Sequence, residues 1–173
     1  MKYLFAASAL AAGMSLAVPA HAASARFTVD FPLAKTVGPI RAGTLCLPKG
    51  SMRGSDLVSD EGQFALLVRQ VLDERAARGQ RSLGDGAVPG IELHLKAAAV
   101  KLCAKSWGMF GMGDTKSLSG DVQFSFAWKI DGQAALNAEQ IVLKPQSRDR
   151  LTAQAIMRRA VEAVLDRIAA KAV

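Results

Sequence analysis

The stretch Val122–Ile130 constrains this chain more than any other. Val122, Phe124, Phe126, Trp128 and Ile130 alternate with Gln123, Ser125, Ala127 and Lys129. Only an extended strand with one dry face and one wet face satisfies that period of two. A second alternation precedes it: Ile91, Leu93 and Leu95 are interleaved with Glu92, His94 and Lys96. After Ala97-Ala98-Ala99 its phase slips, so that Val100, Leu102 and Ala104 alternate with Lys101, Cys103 and Lys105. A one-residue slip is what a β-bulge produces; without a bulge, Cys103 would share the face of Ile91 and Leu93. Asp131-Gly132 follows the first run and is a strong short-hairpin signal, with a return strand over Ala134 to Leu143 that ends before Pro145.

The rest of the chain supplies cover for such a sheet. Phe27, Val29 and Phe31 alternate with Thr28 and Asp30 until Pro32, and Thr44-Leu45-Cys46-Leu47 reads as a further short strand, with Pro48-Lys49-Gly50 turning the chain out. From Ser59 the period changes. Phe64, Leu67, Val68, Val71 and Leu72 draw one apolar stripe along a helix that Ser59 or Asp60 can cap and Gly79 can stop. Gln80 to Gly90 is a glycine-rich loop. A second helix starts near Ser147 or Asp149, with Leu151, Ala155, Ala160, Val161, Val164, Leu165 and Ile168 on its dry side. The expectation is an α+β, two-layer sandwich: a mainly antiparallel sheet with two helices on one face.

The first residues bear on the compartment. Met1-Lys2 is followed by an apolar run from Leu4 to Val18, and Pro19-Ala20-His21-Ala22 ends it with small residues where a leader peptidase cuts. Residues 1–22 read as a secretory signal peptide cleaved after Ala22, leaving residues 23–173 as a single domain in the periplasm. An uncleaved anchor is the alternative. No cysteine stands at the cut, which argues against a lipid anchor. The net charge of +7 favours anionic partners, and export removes nucleic acid from the candidates. Cys46 and Cys103 are the only cysteines. In an oxidising compartment they most simply form one disulfide, worth roughly 4 kcal/mol by loop entropy, against the alternative of two buried thiols.

Reactive groups are sparse. His94 is the only histidine left after cleavage, and it lies on a wet strand face without a nucleophile-elbow serine anywhere. No H-E-x-x-H or cysteine–histidine cluster suggests zinc, and most acids have duller places at helix starts, turns and helix exteriors. No cofactor is expected, and no enzyme. The segment Ser106 to Lys116, SWGMFGMGDTK, joins two strands rather than opening a helix, so its glycines do not form a phosphate cradle. Met109 and Met112 could offer thioethers to copper(I), but too few further ligands exist. As a hairpin loop the segment presents Trp107, Met109, Phe110 and Met112 beside cations, which suits contact with lipid or a partner groove. The alternative is that these side chains fold back over the core.

The order strand, helix, long strand pair, helix over roughly Thr44 to Ala170 resembles small periplasmic accessory proteins of envelope assembly, such as the lipopolysaccharide-assembly lipoprotein. The resemblance lies in element order, and the lipobox cysteine of those lipoproteins is missing. It implies an accessory role and carries no residue across. The sequence thus points to a non-enzymatic periplasmic protein that contacts an envelope protein or anionic lipid, with Lys96, Lys101 and Lys105 attracting anionic groups and Trp107, Met109, Phe110 and Met112 supplying apolar contact. The alternative is an inhibitor or immunity protein that plugs an acidic exported toxin or enzyme.

Overall fold

A computed structural model describes residues 25–43, 45–79, 90–106, 116–130, 133–144 and 152–171. Its centre is the hairpin of β4 (Ile91–Ser106) and β5 (Lys116–Ile130), paired antiparallel along their full lengths. Leu93 lies opposite Trp128, Leu95 opposite Phe126, Ala98 opposite Phe124 and Val100 opposite Val122. Residues directly opposed share a face, so these pairs form one continuous apolar surface. The register shifts between Leu95 and Ala97. That is the bulge expected from the phase slip, and it keeps both halves of β4 dry on the same side. β5 begins at Lys116, five positions earlier than Asp121, where the alternation in the sequence starts to be legible.

β6 (Asn137–Leu143) pairs antiparallel with β5 from Trp128–Asn137 to Val122–Leu143. Asp131 and Gly132, where a tight hairpin is expected, lie outside the described residues; the backbone closes across them, the Gln133 N–H donating to the Ile130 carbonyl at 3.0 Å, while the ladder with β6 starts at Trp128 and Asn137. The Gln133 side chain reinforces this bend: its Oε1 accepts from the Ile130 backbone N–H at 3.4 Å and from Asn137 Nδ2 at 3.0 Å.

The other edge of β4 is shared. β1 (Arg26–Val29) runs parallel to Glu92–Leu95, and β2 (Thr36–Ala42) runs parallel to Leu102–Ala104. Pro32, which has no N–H to give a ladder, lies in the step between them. β3 (Leu47–Arg53) returns antiparallel to β2 and forms one edge of the sheet, in the order β3-β2-β4-β5-β6. This corrects the expectation for residues 44–50. The chain turns at Gly43 to Cys46, with φ of +83° at Gly43 and +51° at Cys46, whereas Pro48, Lys49 and Gly50 lie within the strand. An edge strand tolerates proline because its outer N–H groups have no partner to lose.

Both main helices cover the apolar face. After one helical turn, α1 (Gly54–Leu57), α2 (Glu61–Ala77) starts at Asp60, whose Oδ1 accepts from the Gln63 N–H at 2.7 Å. α3 (Ala153–Lys171) starts later than expected, at Thr152, whose Oγ1 accepts from the Ala155 N–H at 3.1 Å. Phe64, Val68 and Val71 of α2 join Ile156, Met157, Val161, Val164, Leu165 and Ile168 of α3 against the strands in a single core. Ion pairs clasp the elements at the rim: Arg75 to Asp166 at 2.6 Å and Arg158 to Glu74 join α2 to α3, and Glu139 of β6 ties the sheet to α3 through Arg167 and, at 2.5 Å, Lys171. The architecture is an open mixed six-stranded sheet with two helices on one side, the expected α+β arrangement with antiparallel pairings in the majority.

Candidate functional site

Because both helices pack on one side, the other side of the sheet is uncovered by any described element. Its side chains follow from the bulge. Glu92, His94, Ala97, Ala99, Lys101 and Cys103 of β4 face the same way as Lys129, Ala127, Ser125, Gln123, Asp121 and Ser119 of β5. Small and polar residues dominate this open face. The bulge also decides where the cross-link lies: Cys103 sits on the open side, away from the core, and joins Cys46 in a disulfide spanning 57 residues of sequence. That bond pins the β2–β3 turn to β4, helped by the Gly43 N–H, which donates to the Ala104 carbonyl at 2.9 Å.

The expected cations occupy different surroundings. Lys96 donates to Asp30 Oδ2 at 2.6 Å, and this bond holds the Asp30 carboxyl below the ordinary carboxylate value. Its charge is therefore largely offset. Beside it, His94 Nδ1 lies 2.7 Å from Thr28 Oγ1 and 3.3 Å from Asp30 Oδ2, so His94 helps fasten β1 to β4. Lys101 is exposed, further along β4 and past the bulge. Asp121 lies directly across from it but accepts from Gln123 Nε2 at 2.8 Å. Lys105 belongs to the last turn of the pleat in β4, and its side chain lies outside the described residues, as do Trp107, Met109, Phe110 and Met112. The structure thus places Lys96 and Lys101 on one open face and separates them by roughly 16 Å of strand at ~3.3 Å per residue.

One residue that sequence reasoning passed over belongs with them. Arg41, in the mixed segment before the first glycine turn, is the register partner of Cys103 on β2. Arg41 and Lys101 border a shallow groove of about 320 Å³, with Pro39, the disulfide, Ser119 and Gly120 along its walls. Gly120 lies in this wall with φ of +116°, and a Cβ there would come within 1.8 Å of the Lys101 carbonyl oxygen. Only glycine lets β5 approach β4 so closely. The alternation of residues gives no hint of this site, since it arises from three strands that meet only in the fold.

No family model matches the chain, and no curated protein matches it. Among solved structures it is similar to an uncharacterized protein at 11% identity, covering 87% of this chain and 92% of that one with a TM-score of 0.39. It is also similar to the rare lipoprotein B from Shewanella oneidensis at 14% identity, covering 78% and 94% with a TM-score of 0.34. A lipoprotein is thus among the structures this chain is similar to, at low identity. Likeness of this degree says nothing of a ligand or partner.

Chemically, the open face offers charge and contact. Among the described residues, no three histidine, cysteine or carboxylate side chains gather as metal ligands would, and no helix is long and apolar enough to cross a membrane. The disulfide is of the kind that persists in oxidising compartments.

Proposed function

We propose that the protein is an exported, non-catalytic accessory of the cell envelope that binds an envelope protein or anionic lipid through the open face of its sheet. In this reading residues 1–22 are the leader and the mature domain works in the periplasm, touching the membrane at most peripherally. The observation that supports the reading is the asymmetry of the sheet: one side is sealed by α2 and α3, while the other carries no described element and is bordered by Arg41 and Lys101. The disulfide supports export. The engagement of Asp30, Glu74 and Glu139 with lysine and arginine supports a binding role over acid–base chemistry, because carboxylates held ionised by cations make poor general acids.

Capture of envelope material on the immobilised protein tests it. Replacing two open-face residues, Ala99→Glu with Ser125→Glu, should abolish capture while thermal unfolding stays within a few degrees of the parent. Trp107→Ala with Phe110→Ala tests the contribution of the 106–116 segment in the same assay. Undiminished capture by the Ala99/Ser125 variant rejects the open face as the contact surface. Recovery of a single stoichiometric acidic protein would instead favour the inhibitor class.

A further inference from the structure

We infer that the groove where β2, β4 and β5 meet binds a single-chain anionic amphiphile, its phosphate or carboxylate head held between Arg41 and Lys101 and its alkyl chain lying along the disulfide. The inference rests on the open face being the working surface, and it names the ligand class that face would hold.

Lys101 and Cys103 point to the same side of β4, and Arg41 stands beside Cys103 on the neighbouring strand. Strand spacing of ~4.8 Å and a two-residue step of ~6.6 Å put the α-carbons of Arg41 and Lys101 about 8 Å apart. Two long cationic side chains at that separation readily reach a common point. Among the described residues neither has a hydrogen-bonding or ion-pair partner. The nearest acid by register, Asp121, is engaged with Gln123, whereas Lys96 at the other end of the face is neutralised by Asp30. Arg41 and Lys101 face the single carboxylate of Asp121 there, so a net positive charge remains at the groove, and an anion between the two cations relieves their mutual repulsion.

The walls argue against a plain inorganic anion. Between exposed cations in water an ion gains little, but here the surface below them is apolar, made by Pro39 and the Cys46–Cys103 sulfurs, with the Ser119 hydroxyl at its side. A volume of about 320 Å³ lies at the lower end of the ~300–1,000 Å³ typical of ligand pockets. That suits one head group and part of one chain, and excludes a two-chain lipid lying within it.

Titration calorimetry at low ionic strength, with every amphiphile below its micelle threshold, tests this. Dodecyl phosphate and dodecanoate should each bind saturably at one site, and their ratio tells which head the cations prefer. Inorganic phosphate and the neutral dodecyl maltoside should bind at least about tenfold more weakly. Arg41→Gln with Lys101→Gln should lose roughly tenfold for the charged amphiphiles. Equal binding by that variant, by the neutral amphiphile or by plain phosphate overturns the inference. Amide shifts on the parent protein supply a measurement that needs no variant: they should centre on Leu102, Ser119 and Gly120, and shifts confined to the helical side overturn it too. Envelope capture that survives while dodecyl phosphate fails would remove this ligand class and leave the contact function standing. Loss of capture in the Ala99/Ser125 variant with dodecyl phosphate binding intact separates the two in the other direction.

Discussion

Gly120 holds a backbone conformation that side chains seldom adopt, pressed against the Lys101 carbonyl. Gly120→Ala is expected to destabilise the fold by on the order of 3 kcal/mol, read from a urea midpoint, because strain and a backbone clash coincide. Gly50→Ala is the control, since a Cβ there meets nothing within 4 Å, and it should shift the midpoint little. Some single-residue features were legible in the sequence. Asp60 was readable as a helix cap from its place before an apolar stripe, and Cys103 was readable as a residue whose face depends on a bulge. Cys46 was not. Its apolar neighbours imitate a strand, yet it sits in a turn with positive φ, bonded to a partner 57 residues away. Arg41 escaped notice for a related reason: nothing nearby in sequence marks it, and only its register beside Cys103 gives it company.

Between elements, charged clasps at the rim make a pH dependence that can be signed. Glu139 is held below its ordinary value of 4.5 first by Lys171 and then by Arg167, and Glu74 likewise by Arg158. A carboxylate with a depressed folded value stabilises the fold fully above its unfolded value and loses that stabilisation as pH falls through the folded one. Resistance to urea should therefore be level from pH 7 to about 5 and decline below it. Glu139→Gln should lower the plateau and flatten the acid limb; an unchanged slope would show that the α3–β6 clasp carries none of it. The helices themselves were legible from periodicity because their stripes meet a core. The clasps were not, since Glu74 and Asp166 look like ordinary wet-side residues until the two helices are laid together. The start of the return strand was misread: Asp-Gly marks a bend, yet ladder pairing stops at Trp128 and Asn137, so β6 begins at Asn137 rather than at Ala134.

Across the molecule, the long-range restraint is the Cys46–Cys103 link. Cys46→Ser with Cys103→Ser should cost roughly 4 kcal/mol by loop entropy, seen as a lower thermal midpoint that reductant does not lower further, whereas reductant should lower that of the parent. The layer count and the α+β class followed from alternation and helical period alone. The parallel placement of β1 and β2 along one edge of β4 did not, because strand order beyond neighbouring hairpins is decided by what is left to bury once the local pairs have formed. That placement bears on how the chain assembles. Every partner that β1 and β2 need on β4 lies more than fifty residues downstream, while β4, β5 and β6 find one another as neighbours. Delivered from its N-terminus, at a ribosome or through a pore, the polypeptide can pair β2 with β3 early but must leave β1 and the inner edge of β2 unpartnered until the later half has emerged. In that interval its apolar stretches stand bare, and a holding chaperone would find its longest engagement there.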